Sequence, residues 1–453
     1  MSDVALSLCM IVKNEAANLG RALESLRGVV DELLVVDTGS TDGTQALAES
    51  LGARVLAFAW TGRFADARNF ALGQARGAWA LIMDADEALH PDDRPLLGQL
   101  VAGDTAEAYI CTVVNYIGDG VHGETLIDHR VSLLRRRPEY RYTGALHENL
   151  QDRILAARPD APIAVVPLRI LHYGYLDAEL ARAGKRERNR AILAAQLAAQ
   201  PGDPFLQYAL AVECLALGDL AEAQALLAAA LAAAPSEAQF RPDVLLKLAA
   251  CCRGHPEAEA WLRQAAEEFP DFTDVWFQLA GICLGSGRLS EAETCLRLCL
   301  ALGEAPPQYQ SWQGSGTYRA WAALAELYER KGRSRAARHA CVGALRAGSP
   351  QDQILPRLAC LLAAEPAGAA VAELARDFDL SAGGTAAALA AALRRAGAPL
   401  HAGLLLREVG GEADPAGALE QARSYLQAAA VLVKPADREL CERLRRLGGE
   451  SDR

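Results

Sequence analysis

The 453-residue sequence lacks the signatures of several common protein classes. It has no Gly-x-Gly-x-x-Gly after its first strand pattern and no Gly-x-x-x-x-Gly-Lys-Ser/Thr, which disfavours a dinucleotide site and a P-loop. It has no run of about 18 consecutive apolar residues, so it predicts no membrane span. Its net charge of −11 argues against a dedicated nucleic-acid binder, because neutralising phosphates requires a basic face.

The eleven cysteines are scattered, with no Cys-x-x-Cys and no disulfide-like spacing. We interpret them as reduced, small, buried residues. The opening residues Met1-Ser2-Asp3-Val4 have no basic segment before an apolar core and no small-residue cleavage site, so no signal peptide is expected. Together these features predict a cytoplasmic protein.

The composition changes near residue 200, from strand patterns with glycine turns to helical runs of Ala, Leu and Glu. The first part alternates strands and helices, which predicts an α/β domain with a parallel sheet and right-handed crossovers. The predicted strands are 6–12, 32–36, 53–58 and 79–83, and the predicted helices are 18–26, 44–51 and 64–75.

Acidic residues follow three of these strands. They are Glu15, Asp37, and the pair Asp84 and Asp86. Open α/β sheets bind ligands at the carboxyl ends of their strands, and two carboxylates can hold a hard divalent cation that in turn holds a diphosphate. One Asp-x-Asp is a weak signal, but acids repeated along one edge favour a site there.

Four motifs together resemble the family-2 glycosyltransferases with the GT-A fold. They are Val12-Lys13-Asn14-Glu15, the segment 36–44 (Val-Asp-Thr-Gly-Ser-Thr-Asp-Gly-Thr), Ala67-Arg68-Asn69 and Asp84-Ala85-Asp86-Glu87. Their order and spacing carry the resemblance over about residues 5–180. It implies a nucleotide-sugar donor, usually a UDP-sugar, and a Mg²⁺ or Mn²⁺ ion.

The resemblance also implies roles for single residues. The main chain near Asn14 and the carboxylate of Asp37 would meet the base and ribose, and Asp86 would bind the metal ion. The donor-binding residues expected on this basis are Val12, Asn14, Glu15, Asp37, Ser40, Arg68, Asp84 and Ala85. Other interpretations stay open, since Asp37 could cap the helix that follows and Arg68 could be an exposed helix charge.

The acceptor side is expected after two further strands, 108–116 and 130–135, joined by a turn at 118–123. His147-Glu148 falls where the family often has a Glu-Asp pair with the catalytic base. Glu148 is therefore the expected base and His147 the alternative, while Glu148 could instead cap a helix or pair with Arg141. The pair is similar to that of bacterial sublancin-type peptide glycosyltransferases, in which such a domain is fused to helical repeats. The family resemblance implies an inverting transfer.

A late strand at 163–171 ends in His172. Many GT-A enzymes use a late histidine as a metal ligand, so His172 is the second expected ligand beside Asp86, although it could equally be a hydrogen-bonded structural residue. A basic cluster could hold the diphosphate or form a solvated face. Its members are Arg130, Arg135, Arg136, Arg137 and Arg141.

The second half has a repeat of about 34 residues. Buried-type alanines recur at Ala223, Ala258, Ala292 and Ala337, a few residues after Gly-containing turns, at intervals of 35, 34 and 45. This period predicts four tetratricopeptide repeats, the last interval containing an inserted loop at 306–317. A non-repeating helical bundle is the alternative. The predicted domains are 1–180 (GT-A), 181–202 (helical linker), 203–350 (repeats) and 351–453 (degenerate helical repeats).

Three functions fit these features. The repeats could present a polypeptide acceptor to a metal-dependent sugar transferase. The acceptor could instead be a glycan, lipid or small molecule, with the repeats used for assembly. Third, the transferase domain could be inactive and the chain a scaffold, which the retained acids disfavour. The inserted loop, with Trp312, is expected to reach back to the catalytic domain.

Overall fold

The structure is a computed structural model that describes residues 4–103, 105–143, 150–183, 185–378 and 384–409. The chain forms two compact units. The first comprises Met1–Val275 and Ala305–Gln313, and the second comprises Trp276–Glu304 and Gly314–Arg453. The domain boundaries predicted from composition stay a prediction.

A mixed sheet forms the centre of the first unit. Its strands in the described residues are β1 (Leu6–Val12), β2 (Glu32–Asp37), β3 (Arg54–Ala57), β4 (Trp79–Ile82), β5 (Glu87–Leu89), β6 (Ala108–Ile117), β7 (Glu124–Arg135), β8 (Ile163–His172) and β9 (Ser311–Trp312). The spatial order is β3-β2-β1-β4-β7-β6-β8-β5, and β9 pairs with β7. Every strand predicted from the sequence is present.

The first four strands are parallel, as the strand–helix alternation predicts. Beyond them the sheet is mixed, because β7 runs antiparallel to both β4 and β6. The turn between β6 and β7 is short, and a short connection can join only antiparallel strands. Strand β7 is also longer than predicted, since it begins at Glu124 rather than Arg130.

Helices cover both faces of this sheet. They are α1 (Ala16–Ser25), α2 (Thr44–Ser50), α3 (Phe64–Gln74), α4 (Arg94–Ala102), α5 (Leu150–Ala157) and α6 (Asp177–Ala183). Alternate residues of β1 enter two different cores: Leu8 and Met10 pack in the core that includes α1, and Cys9 packs in the core that includes α3. A strand buried on both faces needs a continuous apolar run, which is what residues 6–12 provide.

Helical pairs follow. The helices are α7 (Lys185–Ala199), α8 (Pro204–Ala216), α9 (Leu220–Ala233), α10 (Arg241–Cys251), α11 (Pro256–Glu268), α12 (Thr273–Gly285), α13 (Leu289–Leu302), α14 (Tyr318–Arg330), α15 (Ser334–Arg346), α16 (Gln351–Ala363), α17 (Ala367–Asp377), α18 (Thr385–Arg395) and α19 (Pro399–Val409). The glycines of the repeat turns, Gly218, Gly287 and Gly332, have φ of 83°, 76° and 67°, a region that only glycine adopts readily. No helix in the described part of the chain is both long and apolar enough to cross a membrane.

The inserted loop does reach back to the sheet, as the sequence predicts. Ser311 and Trp312 form β9, which pairs antiparallel with Ile127 and Leu126 of β7. The backbone N–H of Gln313 donates to the Thr125 carbonyl at 3.0 Å. The ring of Tyr309 in the same loop stacks on Phe272, with centroids 4.3 Å apart. The loop therefore adds a short strand to the edge of β7 that β4 leaves uncovered.

Members of the basic cluster have hydrogen-bond partners within the protein, although Arg136 and Arg141 are exposed as a solvated face would be. Arg137 donates to Glu107 at 2.5 Å, and Arg135 donates to the Ala106 carbonyl at 3.1 Å. Arg130 points toward the candidate site described next. These internal partners could not be read from the sequence, because each lies on a different element.

Candidate functional site

The candidate site lies at the carboxyl ends of β1, β2 and β4, which are neighbours in the order β2-β1-β4. Val12 is level with Asp37 across the first pair of strands, and Asp84 and Asp86 follow soon after β4 ends at Ile82. Parallel neighbours bring their carboxyl ends to one edge. The acids that the sequence analysis singled out therefore converge, as expected.

The loops after β1 and β2 fasten to each other. The backbone N–H of Asn14 donates to Ser40 Oγ at 2.8 Å, and the N–H of Glu15 donates to Thr44 Oγ1 at 2.9 Å. Asn14 Oδ1 accepts from the N–H of Thr41 at 2.8 Å. Asn14 has a φ of 57°, unusual for a residue other than glycine. The N–H groups of Asn14 and Glu15 are thus used within the protein, and the carbonyl of the buried Val12 accepts from Thr38.

Asp37 keeps one carboxylate oxygen available. Its Oδ1 accepts from the backbone N–H groups of Gly39 and Ser40 and from Gln45 Nε2, at 2.8, 2.9 and 2.9 Å. Burial works to raise the pKa of Asp37, but hydrogen bonds led by those from Ser40 and Gln45 lower it below its ordinary value. Its Oδ2 is buried and has no hydrogen-bond partner among the described residues. Asp37 does not cap α2, whose N-cap is Gly43 without a side-chain hydrogen bond.

Arg68 on α3 reaches Asp84, with 3.0 Å between the guanidinium nitrogen and Oδ1. The Arg68 side chain is only 17% exposed, so the alternative of an exposed helix charge is wrong. Burial works to raise the pKa of Asp84, but the positive charges of Arg68 and Arg130 lower it below its ordinary value. A charged carboxylate and a buried guanidinium therefore face each other at the edge, and Ala85 beside them is buried.

Asp86 and His172 lie side by side, with 3.6 Å between Asp86 Oδ1 and His172 Nε2. The other ring nitrogen, Nδ1, lies 2.7 Å from Asn115 Oδ1. Asn115 Nδ2 donates to the Leu126 carbonyl at 2.9 Å, which turns its oxygen toward the ring. Burial works to lower the pKa of His172, but Asp86 raises it above its ordinary value. An oxygen acceptor on Nδ1 fixes the ring so that Nε2 is directed at Asp86, an arrangement also found around metal-bound histidines.

Gly174 keeps open the space beside this pair. A Cβ at position 174 would lie 2.5 Å from His172 Nε2 and 2.6 Å from Asp86 Oδ2. No group of three or more His, Cys, Asp or Glu side chains suited to a metal ion occurs within the part of the chain that the structure describes. A Mg²⁺ ion is commonly held by one or two carboxylates plus substrate phosphates, and Asp86 with the open space at Gly174 fits that pattern. Both interpretations of His172 stay open.

Glu87 and Arg130 belong to the same edge, and the sequence analysis missed their pairing. Glu87 is 1% exposed, and both of its oxygens accept from Arg130, at 2.5 and 2.6 Å. Glu87 Oε2 also accepts from the backbone N–H of Asp84 at 2.8 Å. This ion pair therefore fixes the chain that carries Asp84 and Asp86. Its sequence signal was the acid following the Asp-x-Asp, but the partner lies on the distant strand β7.

The two candidate bases, Glu148 and His147, lie outside the described residues. The described chain approaches them next to the site, since the backbone N–H of Tyr142 donates to Asn69 Oδ1 at 2.8 Å. Asn69 follows Arg68 on α3, and the Arg68 guanidinium lies 5.6 Å from the centre of the Tyr142 ring. Tyr142 therefore lies beside the donor-side arginine.

Comparison with known proteins agrees with this geometry. Residues 7–158 match the family described as glycosyl transferase family 2, and residues 255–314 match a tetratricopeptide repeat family. A TPR repeat-containing protein of Synechococcus elongatus is 34% identical over 306 residues, which are 65% of this chain and 75% of that protein. The lipopolysaccharide core biosynthesis glycosyltransferase LpsC of Rhizobium meliloti is 36% identical over 154 residues, 32% of this chain and 56% of that protein.

Among solved structures, TarS 1-349 of S. aureus in complex with UDP-GlcNAc is 17% identical, with a TM-score of 0.35, and the match covers 57% of this chain and 92% of that one. A likeness of this size carries no argument about the site. The matched family over the sheet, the matched repeats and the Synechococcus relative lead to one assignment. The chain belongs to the family-2 glycosyltransferases that carry tetratricopeptide repeats.

Proposed function

We propose that this glycosyltransferase moves a sugar from a UDP-sugar to a polypeptide acceptor presented by its repeats. The observation that carries the donor half is the convergence of Asp37, Asp84 and Asp86 on one edge of the sheet, where α/β folds bind nucleotides. The buried Oδ2 of Asp37, which has no partner among the described residues, is a suitable acceptor for a base or ribose donor group. UDP as the nucleotide rests on the family resemblance.

Each residue of the edge has a place in this proposal. Asn14, Glu15 and Ser40 shape the base pocket, and Val12 packs beneath them. The N–H groups of Asn14 and Glu15 do not contact the base, because they already donate to Ser40 and Thr44. Arg68 and Asp84, joined at 3.0 Å, lie toward the diphosphate and the sugar, and the small buried Ala85 leaves room between the acids.

Asp86 and His172 would hold a Mn²⁺ or Mg²⁺ ion. When bound, the ion supplies positive charge that offsets the charge developing on the departing diphosphate. The protein's own part is to hold the two ligands: Asn115 orients the ring of His172, and Gly174 leaves the adjoining space open. The family resemblance favours an inverting transfer, in which Glu148, or else His147, takes the proton of the attacking group.

A polypeptide acceptor is favoured by the repeats, because helical solenoids form extended surfaces that bind peptides. The similarity to sublancin-type peptide transferases belongs to this proposal, and so does a cytoplasmic location. Burial raises the pKa of Cys9 and Cys111 to about 12, which makes both thiols unreactive.

A glycan acceptor is the second candidate, and the match to LpsC favours it. One experiment distinguishes the polypeptide acceptor from the glycan acceptor. It uses the full chain, a radiolabelled UDP-sugar and a lysate of the source cells. Label that becomes soluble after protease treatment supports the polypeptide acceptor, whereas label in a protease-resistant glycan supports the alternative. The Asp86→Ala variant is the matched control. Equal labelling by this variant would overturn the site assignment.

A further inference from the structure

Strand β7 carries a carboxylate that the donor site does not use. Asp128 lies two residues before Arg130, so the two side chains share one face of the sheet. Among the described residues its only hydrogen bond comes from the backbone N–H of His129, at 2.8 Å to Oδ1. The side chain is half-buried. A half-buried carboxylate on the face of the donor-site arginine, without a cation bonded to it, is unusual.

An aromatic side chain of the inserted loop shares the face of this carboxylate. Trp312 of the inserted loop lies directly opposite Leu126 in the β7–β9 pair. Opposed residues of an antiparallel pair share a face, so Trp312 lies on the face that carries Asp128. The pKa of Tyr208 on α8 is raised well above its ordinary value, chiefly by burial and by Asp243, with a smaller contribution from the charge of Asp128.

Another aromatic residue, Tyr175, adjoins the candidate metal pair. The Tyr175 ring meets the His172 ring edge-on, with centroids 4.9 Å apart. Tyr208 donates its hydroxyl to Asp243 at 2.7 Å and stacks on Phe240 at 5.2 Å. Asp243 already has a cation, because Lys247 lies 2.7 Å away. Asp128, unlike Asp243, therefore has no lysine or arginine bonded to it among the described residues.

We propose that Asp128, with Trp312 on the same face, binds a lysine or arginine side chain of the acceptor polypeptide and so places the acceptor next to the donor edge. This inference rests on the proposed function. A carboxylate supplies the opposite charge, and the face of an indole ring also attracts a cation.

The electrostatics of Asp128 agree with an absent cation. Burial raises the pKa of Asp128, and the negative charge of Asp243 acts in the same direction. The hydrogen bond from the His129 N–H and the charges of Arg130 and His129 act to lower this pKa, but it stays above its ordinary value. An incoming ammonium or guanidinium group would stabilise the charged carboxylate, so the site favours a basic side chain over a neutral one.

The test uses the full chain and fluorescently labelled, end-capped penta-lysine, with binding followed by polarisation at about 0.15 M salt. We expect Asp128→Asn to weaken binding about tenfold and Trp312→Ala about threefold. Asp119→Asn is the matched control, because Asp119 is an exposed carboxylate in the turn before β7, and it should change binding less than twofold. Equal binding by wild type, Asp128→Asn and Asp119→Asn would overturn the proposal, since the peptide would then be held by the general negative charge.

Circular dichroism and stabilisation by UDP-sugars distinguish a failure of the proposed function from a failure of the Asp128 site. Asp128→Asn is nearly isosteric and lies outside the donor edge, so its melting temperature and its stabilisation by a UDP-sugar should equal those of wild type. If no UDP-sugar stabilises wild type while Asp128 still governs penta-lysine binding, the proposed function fails and the basic-side-chain site stands. If a UDP-sugar stabilises wild type but Asp128→Asn binds penta-lysine as wild type does, the basic-side-chain site fails and the proposed donor site stands.

Discussion

Replacing Gly174 by alanine should disable the donor edge without unfolding the protein. The added Cβ would lie 2.5 Å from His172 Nε2 and 2.6 Å from Asp86 Oδ2. An unstrained contact between such atoms needs about 3.5 Å, so one or both side chains must move by about 1 Å. Displacements of that size at a reacting centre cost about 100-fold in rate, which corresponds to about 2.7 kcal/mol in activation free energy.

The backbone of Gly174 is not in the left-handed region, so alanine adds no φ strain and the effect is confined to the pair. The assay is the rate of nucleotide release from a UDP-sugar with Mn²⁺ titrated at fixed donor. We expect a rate about 100-fold lower and a weaker metal response. Gly120→Ala is the matched control, because a Cβ there meets nothing within 4 Å. A Gly174→Ala enzyme within twofold of wild type would refute the assignment of the Asp86–His172 pair.

Three further predictions follow from single contacts. Asp86→Ala should reduce transfer at least 100-fold while the far-ultraviolet circular dichroism stays unchanged; normal turnover would remove Asp86 from the site. Glu148→Gln should keep donor stabilisation but slow transfer at least 100-fold, and an unchanged rate would place the base elsewhere. The hydrogen bond from Arg137 outweighs the effect of burial and lowers the pKa of Glu107 to about 2. Since this pKa is lower in the folded state, the charged carboxylate stabilises the fold at pH values above its unfolded-state pKa of about 4.3. Glu107→Gln should therefore lower the free energy of unfolding by on the order of 2 kcal/mol at pH 7, a difference that melting curves should show shrinking as the pH falls from about 5 to about 2.

The donor half of the site could be predicted from the sequence because its signals are local. The apolar runs 33–36 and 79–83 are each followed by an acid, so the positions of Asp37, Asp84 and Asp86 at one edge follow from the strand order. The 34-residue spacing of glycines and alanines also places the repeat turns, since Gly218, Gly287 and Gly332 all adopt positive φ.

The contacts between distant elements could not be predicted in the same way. The ion pair of Glu87 with Arg130 joins residues 43 positions apart, and the orientation of His172 depends on Asn115 in another strand. The open space at Gly174 has no signal in composition or spacing. Only the β-sheet register shows that Trp312 shares a face with Asp128, although the length of the inserted loop did indicate a contact with the catalytic domain.

The most direct test of the central claim is thermal unfolding of the full chain with UDP- and GDP-sugars, each with and without Mn²⁺ or Mg²⁺. A ligand that binds only the folded state at about a hundred times its dissociation constant adds about 2.7 kcal/mol of stability. We predict that one UDP-sugar raises the melting temperature, that the rise needs the metal ion, and that Asp86→Ala loses the metal dependence. If no nucleotide-sugar shifts the melting temperature of wild type under any of these conditions, the donor site is wrongly assigned and the chain is better explained as a repeat scaffold.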